Sequence, residues 1–425
     1  MQVSSGAPRR RIAVVGAGVS GLTAAWVLQR SADVTLYEAD NRLGGHAHTH
    51  DVIHRAATIG VDSGFIVHNE RTYPTLLRLF AALGVATRDS DMSMSVRCDG
   101  CGLEYAGARG VRGLFPQRSN LRPAYLRMLT EVPRFHRDAR ALLRRPAVGA
   151  EPTLGEFVAA RGYSTYFRSH FLVPVVAAVW SCAPGSVLDY PARYLFEFLE
   201  NHGMLRVTGA PRWRTVVGGS RSYVEAVAKE LSAVATATPV RVLSRTADGV
   251  EIRDDADSLA CFDAAVVATH PDQALRLLAA PTTAERDVLG AFPYSANHTV
   301  LHTDPEPLPR SAGAQASWNY RLADCTAAPD RVRVSYDMNR LQGLPGPDRY
   351  VVTLNDPDSV DPARVIARML YEHPVYTPKS VAAQRRLPDL ADDRVAFAGA
   401  YHGWGFHEDG AASGLRAALR LGGRW

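Results

Sequence analysis

Long apolar runs are missing from this 425-residue chain: none approaches the roughly 18 residues that cross a bilayer. The best candidate, 171–178, is short and holds Pro174. The opening MQVSSGAPRRRIAVVG has basic residues but only a brief apolar run before its glycines. It reads as a loop entering a strand rather than as a signal peptide. Cysteine is scarce, five in all, which excludes a disulfide framework. Cys98 and Cys101 form a lone CDGC. A structural zinc site needs a second pair of ligands at matching spacing, and none is evident, so Asp99-Gly100 reads as a hairpin turn and no metal is expected. Lysine is almost absent: Lys229 and Lys379 are the only two among 48 basic residues, so lysine chemistry could rest on those two alone. Internal repeats and low-complexity linkers are lacking as well. A cytoplasmic protein with free thiols is the expectation, long enough for two domains or one large unit with an insertion.

What is plentiful is arginine, which carries the net charge of +5. Arg118, Arg122, Arg127, Arg134, Arg137, Arg140, Arg144 and Arg145 crowd one segment against only Glu131 and Asp138. Leu126, Leu129, Phe135, Leu142 and Leu143 give it an apolar side. It reads as a solvated helical face, or as a surface that meets anionic lipid or an acidic substrate. No nucleic-acid recognition module accompanies the charge, so a nucleic-acid partner is not expected.

The segment RIAVVGAGVSGLTAAWVLQRSADVTLYEAD is the most informative. Ile12 to Val15 reads as a buried strand, Leu22 to Leu28 as a helix, and Val34 to Tyr37 as a second strand ending in Glu38. Between strand and helix stand Gly16, Gly18 and Gly21 as G-x-G-x-x-G, with Val19 and Ser20 inside the turn. A lone G-x-G-x-x-G is weak, but strand, helix and an acid about 20 residues on make it a dinucleotide-binding fingerprint. Gly16 permits the tight turn, Gly18 lets backbone approach a pyrophosphate, and Gly21 lets helix pack on strand. The helix N-terminus offers free N–H groups to the phosphates. Glu38, followed by Ala39, would accept hydrogen bonds from ribose hydroxyls.

Arg42-Leu43-Gly44-Gly45 follows directly. It resembles the R-x-G-G signature of FAD-dependent oxidoreductases in the amine oxidase, phytoene desaturase and protoporphyrinogen oxidase superfamily. There the glycine backbone and the arginine lie along the FAD pyrophosphate and ribityl chain. GVDSGFIV, 60–67, resembles the segment beside the flavin ring, which would put Ser63, Gly64, Phe65 and Ile66 against the cofactor. By the same resemblance Val240 meets adenine through its backbone, and Ala268 and Thr269 close the dinucleotide domain. The C-terminal FAGAYHGWGFHEDGA resembles the family's last FAD motif, which would bring Gly399, Ala400, Phe406, His407, Glu408, Asp409, Gly410 and Ala411 to the flavin. Segments such as ASWNY and GFHEDG look most like a bacterial branch described as predicted NAD/FAD-binding proteins, some associated with modified fatty acids.

The resemblance covers the whole chain and implies an α/β fold with a Rossmann-like FAD domain discontinuous in sequence and an α+β substrate domain. The expected division is 1–86, 206–289 and 387–425 for the FAD domain. The substrate domain takes a helix-rich 87–205 and a strand-rich 290–386. Amine oxidases of the superfamily carry a lysine near flavin N5; here His298 or Asn297 falls at that position, Phe406 at a cage tyrosine, and Ala400 at a usual acid. These departures, with the apolar insertion, favour dehydrogenation or desaturation of a hydrophobic substrate, a fatty acyl or isoprenoid-like chain, by hydride transfer to flavin N5. His298, then His407, is the candidate base, since neutral imidazole suits proton transfer. The rival readings are a flavin-dependent double-bond isomerase, an amine oxidase with an altered site, and a non-catalytic flavoprotein or metal protein. Electron acceptor and oligomeric state are left open, and a peripheral membrane contact is the further partner expected.

GGHAHTHDVIH raises the metal question separately. His46, where relatives carry arginine, is expected at the phosphate or ribityl region. His46, His48 and His50 alternate onto one strand face. A straight strand spreads them over about 13 Å, too far for one ion. A polar strand is the reading.

Overall fold

The computed structural model describes residues 9–55, 57–147, 151–206, 209–325 and 331–425. The expected N-terminal loop therefore lies largely outside the described residues. The first sheet is five-stranded and parallel, in the order Ala233–Ala235, Ala32–Tyr37, Arg10–Val15, Ala264–Val267, Val395–Phe397. Ile12 to Val15 of its central strand read as an unbroken apolar run because both faces are covered there. Ile12 and Val14 join a core with the helix Val19–Leu28, whereas Ala13 and Val15 face a second core holding Leu243, Phe262 and Phe397. Every residue of that helix is buried, because the C-terminal helix His407–Arg420 packs over it. Gly410 and Gly414 permit the contact: a Cβ on Gly414 would stand 2.1 Å from the Ser20 carbonyl oxygen. An antiparallel meander, Val240–Arg245, Val250–Asp254 and Leu259–Phe262, flanks the second core.

The second large sheet has seven strands, in the order Val365–Pro374, Tyr294–His302, Val351–Leu354, Val334–Asp337, Trp318–Leu322, Met94–Cys98, Leu103–Tyr105. All its pairings are antiparallel except that of Trp318–Leu322 with Met94–Cys98. The helices Pro123–Leu143, Leu154–Ala160, Val173–Trp180 and Ala192–Asn201 share one core with this sheet. The apolar run 171–178 is thus a core segment, a π-turn at Arg168–Leu172 leading into Val173–Trp180. Among the described residues no helix is long and apolar enough to cross a membrane. The expected cut between residues 86 and 87 runs through a small sheet, since Thr87–Asp89 and Val67–Asn69 both pair with Trp213–Val216.

Candidate functional site

The glycine turn after Arg10–Val15 is shaped by three different constraints. Gly16 has φ +98°, and a Cβ there would stand 2.7 Å from the Ala268 carbonyl oxygen. Its N–H donates to the Tyr37 carbonyl at 2.8 Å. A Cβ on Gly21 would meet the Gly16 carbonyl oxygen at 1.8 Å. Gly18 is the opposite case: nothing among the described residues lies within 4 Å of its Cβ position. It opens the helix Val19–Leu28, whose start has no side-chain cap and no acid in the first turn. The first intrahelical bond runs from Leu22 N–H to the Gly18 carbonyl at 2.9 Å. The N–H groups of Val19, Ser20 and Gly21 are therefore left for an external acceptor. Open backbone beside unclaimed N–H groups at a positive helix end is a phosphate cradle.

Glu38 is fixed beside this cradle by the N–H groups of Ala17, at 2.7 Å, and Asp40, at 2.9 Å. Ala39 is exposed next to it. Backbone bonds from Glu38 N–H to Ala235 and from Thr238 N–H to Glu38 bring the 235–240 stretch, including half-buried Val240, alongside. Across the cradle Gly44 bridges to Gly18 and donates to the Ala17 carbonyl at 2.9 Å. Gly45 faces the Gly18 Cα, and Arg42 braces this turn by donating to the Gly45 carbonyl at 2.8 Å. Behind Gly16, Ala268 donates to the Val15 carbonyl, and the Thr269 methyl closes the gap. These residues fit a dinucleotide: open backbone at one glycine only, unclaimed donors for phosphate, and a fixed carboxylate at the end of the second strand.

The flavin-side segment is locked to the histidine stretch. Ser63 N–H donates to the His48 carbonyl at 3.0 Å and Phe65 N–H to the His46 carbonyl at 2.7 Å. Gly64 is required there, because a Cβ would stand 2.1 Å from the His46 carbonyl oxygen. Ile66 is buried and offers its carbonyl to Thr215. The strand itself begins only at Thr49, so the three histidines do not share one strand face. His48 and His50 rings lie 4.0 Å apart. His50 Nε2 is 2.8 Å from Ser63 Oγ, and Tyr371 Oη is 2.7 Å from Ser63 Oγ and 3.0 Å from His48 Nδ1. His46 turns elsewhere, packing 5.0 Å from Tyr371 and 5.2 Å from His373. Its buried Nε2 has no hydrogen-bond partner among the described residues, which is what a bound polar group would supply. Burial pushes His46 well below its ordinary pKa, His48 to about 3 and His373 to about 4, so these imidazoles are neutral at pH 7.

Three assignments change with the geometry. His298 lies on Tyr294–His302 with its side chain exposed, opposite exposed Leu370, while Asn297 points inward and donates to His373 Nδ1 at 2.9 Å. His298 therefore leaves the base position. His407 is stacked on Phe65 at 3.7 Å and its Nε2 stands 2.7 Å from Tyr223 Oη. Burial, then the neighbouring His68, lowers it to about 3. One ring face and Nε2 are thus occupied, which takes that nitrogen out of the base role. Glu408 turns away and accepts from Thr75 and Leu76 N–H, both at 2.9 Å, capping the helix Pro74–Leu83. The neighbouring positions pack against the first glycine turn and one another. Gly399 N–H donates to Ser413 Oγ at 2.9 Å, Gly410 packs on Val19, Ala411 is buried, and Ala400 sits beside Gly410. Asp409 accepts from Phe406 N–H at 2.9 Å, and burial pushes its carboxyl up to about 7.

An aromatic wall faces the loop before the C-terminal helix. Phe406 stacks on Phe198 at 4.8 Å, and Trp180 packs 4.5 Å from Phe198. Trp180 Nε1 donates to the Trp404 carbonyl at 3.0 Å, and Tyr194 and Tyr376 both donate to the Gly403 carbonyl. Lys229 and Lys379 are exposed. Sequence reasoning missed Tyr371, His373, Trp180, Phe198 and the buried Asp62. Asp62 accepts from Thr49 Oγ1, Ser220 and Gln342, and burial raises it to about 6. It missed equally that Cys98 and Cys101, correctly placed in a hairpin turn, do not stand alone: His170 and Cys325 stand with them.

The family model of flavin containing amine oxidoreductase matches residues 19–331. Tryptophan 2-monooxygenases of Allorhizobium ampelinum and Pseudomonas savastanoi are 55% identical over 42 residues and 54% over 44. Those stretches are 9% and 10% of this chain and span 6% and 8% of the relatives' length. The fold matches cyclohexylamine oxidase from Brevibacterium oxydans IH-35A with TM-score 0.69 and 18% identity, over 97% of this chain and 99% of that one. A CLA-producing fatty acid isomerase from P. acnes matches with TM-score 0.66 and 16% identity over the same shares. Putrescine oxidase bound to putrescine matches with 0.69 and 14%, again over 97% and 99%. At such identities these structures speak for the fold alone.

Proposed function

The chain belongs to the flavin-containing amine oxidoreductase family, and from that premise we propose that this FAD-dependent oxidoreductase removes hydride from carbon in a hydrophobic substrate, a fatty acyl or isoprenoid-like chain. When bound, FAD supplies the hydride acceptor. The chain's part is to hold and shield. Gly18 and the free N–H groups of Val19, Ser20 and Gly21 hold the pyrophosphate, Glu38 the ribose, and His46 Nε2 a polar atom of the cofactor. Trp180, Phe198, Trp404 and Phe406 take the apolar substrate and exclude water. The observation that carries this reading is the pairing of that aromatic wall with two exposed lysines and an inward-facing Asn297: no lysine cation is available to the site.

The test is anaerobic mixing with fatty acids, methylated unsaturated fatty acids and amines, following loss of the flavin's blue absorbance. Bleaching by the acyl substrates supports dehydrogenation. Bleaching by amines alone, with aldehyde and peroxide released in air, overturns it in favour of an amine oxidase. A second reading is a flavin-dependent double-bond isomerase, whose mark is product formation with no acceptor consumed.

We further propose a contact with anionic lipid. Val111, Leu121 and Leu126 are 75%, 63% and 40% exposed, and Arg112 and Arg118 beside them are exposed too. Apolar side chains among cations suit a lipid headgroup surface. Co-sedimentation with anionic vesicles, lost in Leu121→Ser, supports it; equal recovery with and without vesicles refutes it.

A further inference from the structure

Four side chains from three distant parts of the chain converge outside the flavin site. Cys98 ends the strand Met94–Cys98, Cys101 sits in the following turn, His170 belongs to the π-turn Arg168–Leu172, and Cys325 follows the strand Trp318–Leu322. One ligand atom from each lies within 4.8 Å of all the others. Cys98 Sγ and Cys325 Sγ are 3.7 Å apart, and Cys101 Sγ and His170 Nε2 are 3.8 Å apart. Zinc–sulfur bonds of about 2.3 Å, placed tetrahedrally, set ligand atoms about 3.8 Å apart. A disulfide would need about 2.05 Å, and all five cysteines are free.

The surroundings are built for the same purpose. His170 is fully buried, and its Nδ1 lies 2.8 Å from Ser169 Oγ, which leaves Nε2 turned to the sulfurs. A metal-bound histidine is commonly oriented through its other nitrogen in this way. Its ring is stacked on Tyr166 at 3.9 Å. Gly102, at φ +69°, folds the turn so that its own N–H reaches the Cys98 carbonyl at 2.9 Å. The nearest carboxylate in the turn, Asp99, is engaged by Arg97 at 2.8 Å and Arg321 at 2.7 Å, so it is not a competing ligand. Arg122 donates to the Cys101 carbonyl and sets a cation beside what becomes a net negative centre.

We propose that Cys98, Cys101, His170 and Cys325 bind one zinc ion as a closed structural site. Three thiols release their protons to solvent as they ligate. With four protein ligands no position is open for a substrate, so the ion clamps rather than catalyses. It ties the seven-stranded sheet to the helical insertion directly before Val173–Trp180, the helix that carries Trp180 of the aromatic wall.

The experiment uses FAD-loaded protein from zinc-supplemented cells, purified without metal-affinity resin, and measures zinc against flavin by plasma mass spectrometry. The expected result is one zinc per flavin, falling to background in Cys325→Ser and His170→Ala and retained in Cys261→Ser. X-ray absorption should show three sulfurs at about 2.3 Å and one nitrogen at about 2.0 Å. If the variants fail to fold, cobalt reconstitution of the wild type decides: thiolate-ligated tetrahedral cobalt gives strong bands to the red of the flavin. Protein that stays metal-free after anaerobic reconstitution with excess zinc overturns the proposal. So does a zinc shell without sulfur, or a Cys98–Cys325 disulfide in the native enzyme.

Discussion

Gly18→Ala separates cofactor binding from folding in a way its neighbours cannot. Gly18 has φ −68° and ψ 178°, extended backbone that alanine adopts without strain, and its Cβ would meet nothing within 4 Å among the described residues. The cofactor-free protein should be as stable as wild type or firmer by about 0.4–1 kcal/mol, since alanine restricts the unfolded chain. With FAD the same methyl group stands where phosphate must approach the helix N-terminus. Losing one charged hydrogen bond there costs about 1.5–3 kcal/mol, or roughly 10- to 150-fold in Kd. Gly21→Ala is the contrast: its Cβ would sit 1.8 Å from the Gly16 carbonyl oxygen. The helix must move off the strand, at a cost of about 1–3 kcal/mol or more in the cofactor-free fold. Thermal melts of both apoproteins and quenching of flavin fluorescence on titration measure the two effects. An unchanged Kd for Gly18→Ala, or a loss of apoprotein stability equal to that of Gly21→Ala, refutes the assignment of the open glycine to the pyrophosphate.

Three more perturbations test the reassignments and the buried charge. Burial lifts Asp62 from 3.8 to about 6 against the hydrogen bonds that oppose the shift. A folded-state pKa above the unfolded one favours the protonated acid in the fold. Its stabilising contribution is therefore complete below about pH 4 and is lost as pH rises through 6, about 3 kcal/mol in all. Denaturant melts from pH 4 to 7 should show a flatter pH dependence in Asp62→Asn than in wild type, and parallel curves would remove Asp62 as the source. Glu408→Ala uncaps Pro74–Leu83 and should cost about 1–2 kcal/mol, with the flavin spectrum unmoved; weakened FAD binding at unchanged stability would return Glu408 to the cofactor. His298→Ala, at an exposed position, should leave stability within about 0.5 kcal/mol and flavin reduction by the substrate unchanged. A tenfold slower reduction would put His298 back in the mechanism.

The parts of the site that were legible in the sequence are those whose constraint is local. Gly16, Gly18 and Gly21 act within one turn and their spacing proposes them, whereas Gly44 and Gly45, in the next, are proposed by the resemblance to R-x-G-G. An apolar run such as Ile12 to Val15 similarly announces a strand covered on both faces. Where the answer depends on parity or on chain closure, the signal vanishes. Whether Asn297 or His298 faces inward is a matter of one residue of register, set by pairing Asn297 with Tyr371 and His298 with Leu370, and a one-residue slip inverts every side chain of a strand. Glu408 sits inside the segment that resembles the family's last FAD motif yet serves a helix 333 residues away. Ser63 finds Tyr371 across 308 residues, and Cys98 finds Cys325 across 227. The histidine stretch shows both regimes at once. Its repeat suggested a ligand set, but the strand begins after His48, and each ring is claimed by a partner chosen elsewhere: His48 and His50 by Tyr371 and Ser63, His46 by Tyr371 and His373. The cysteines, whose spacing announced nothing, are the residues that converge. Metal geometry needs proximity of ligand atoms, which sequence spacing reports only when the ligands share a local element.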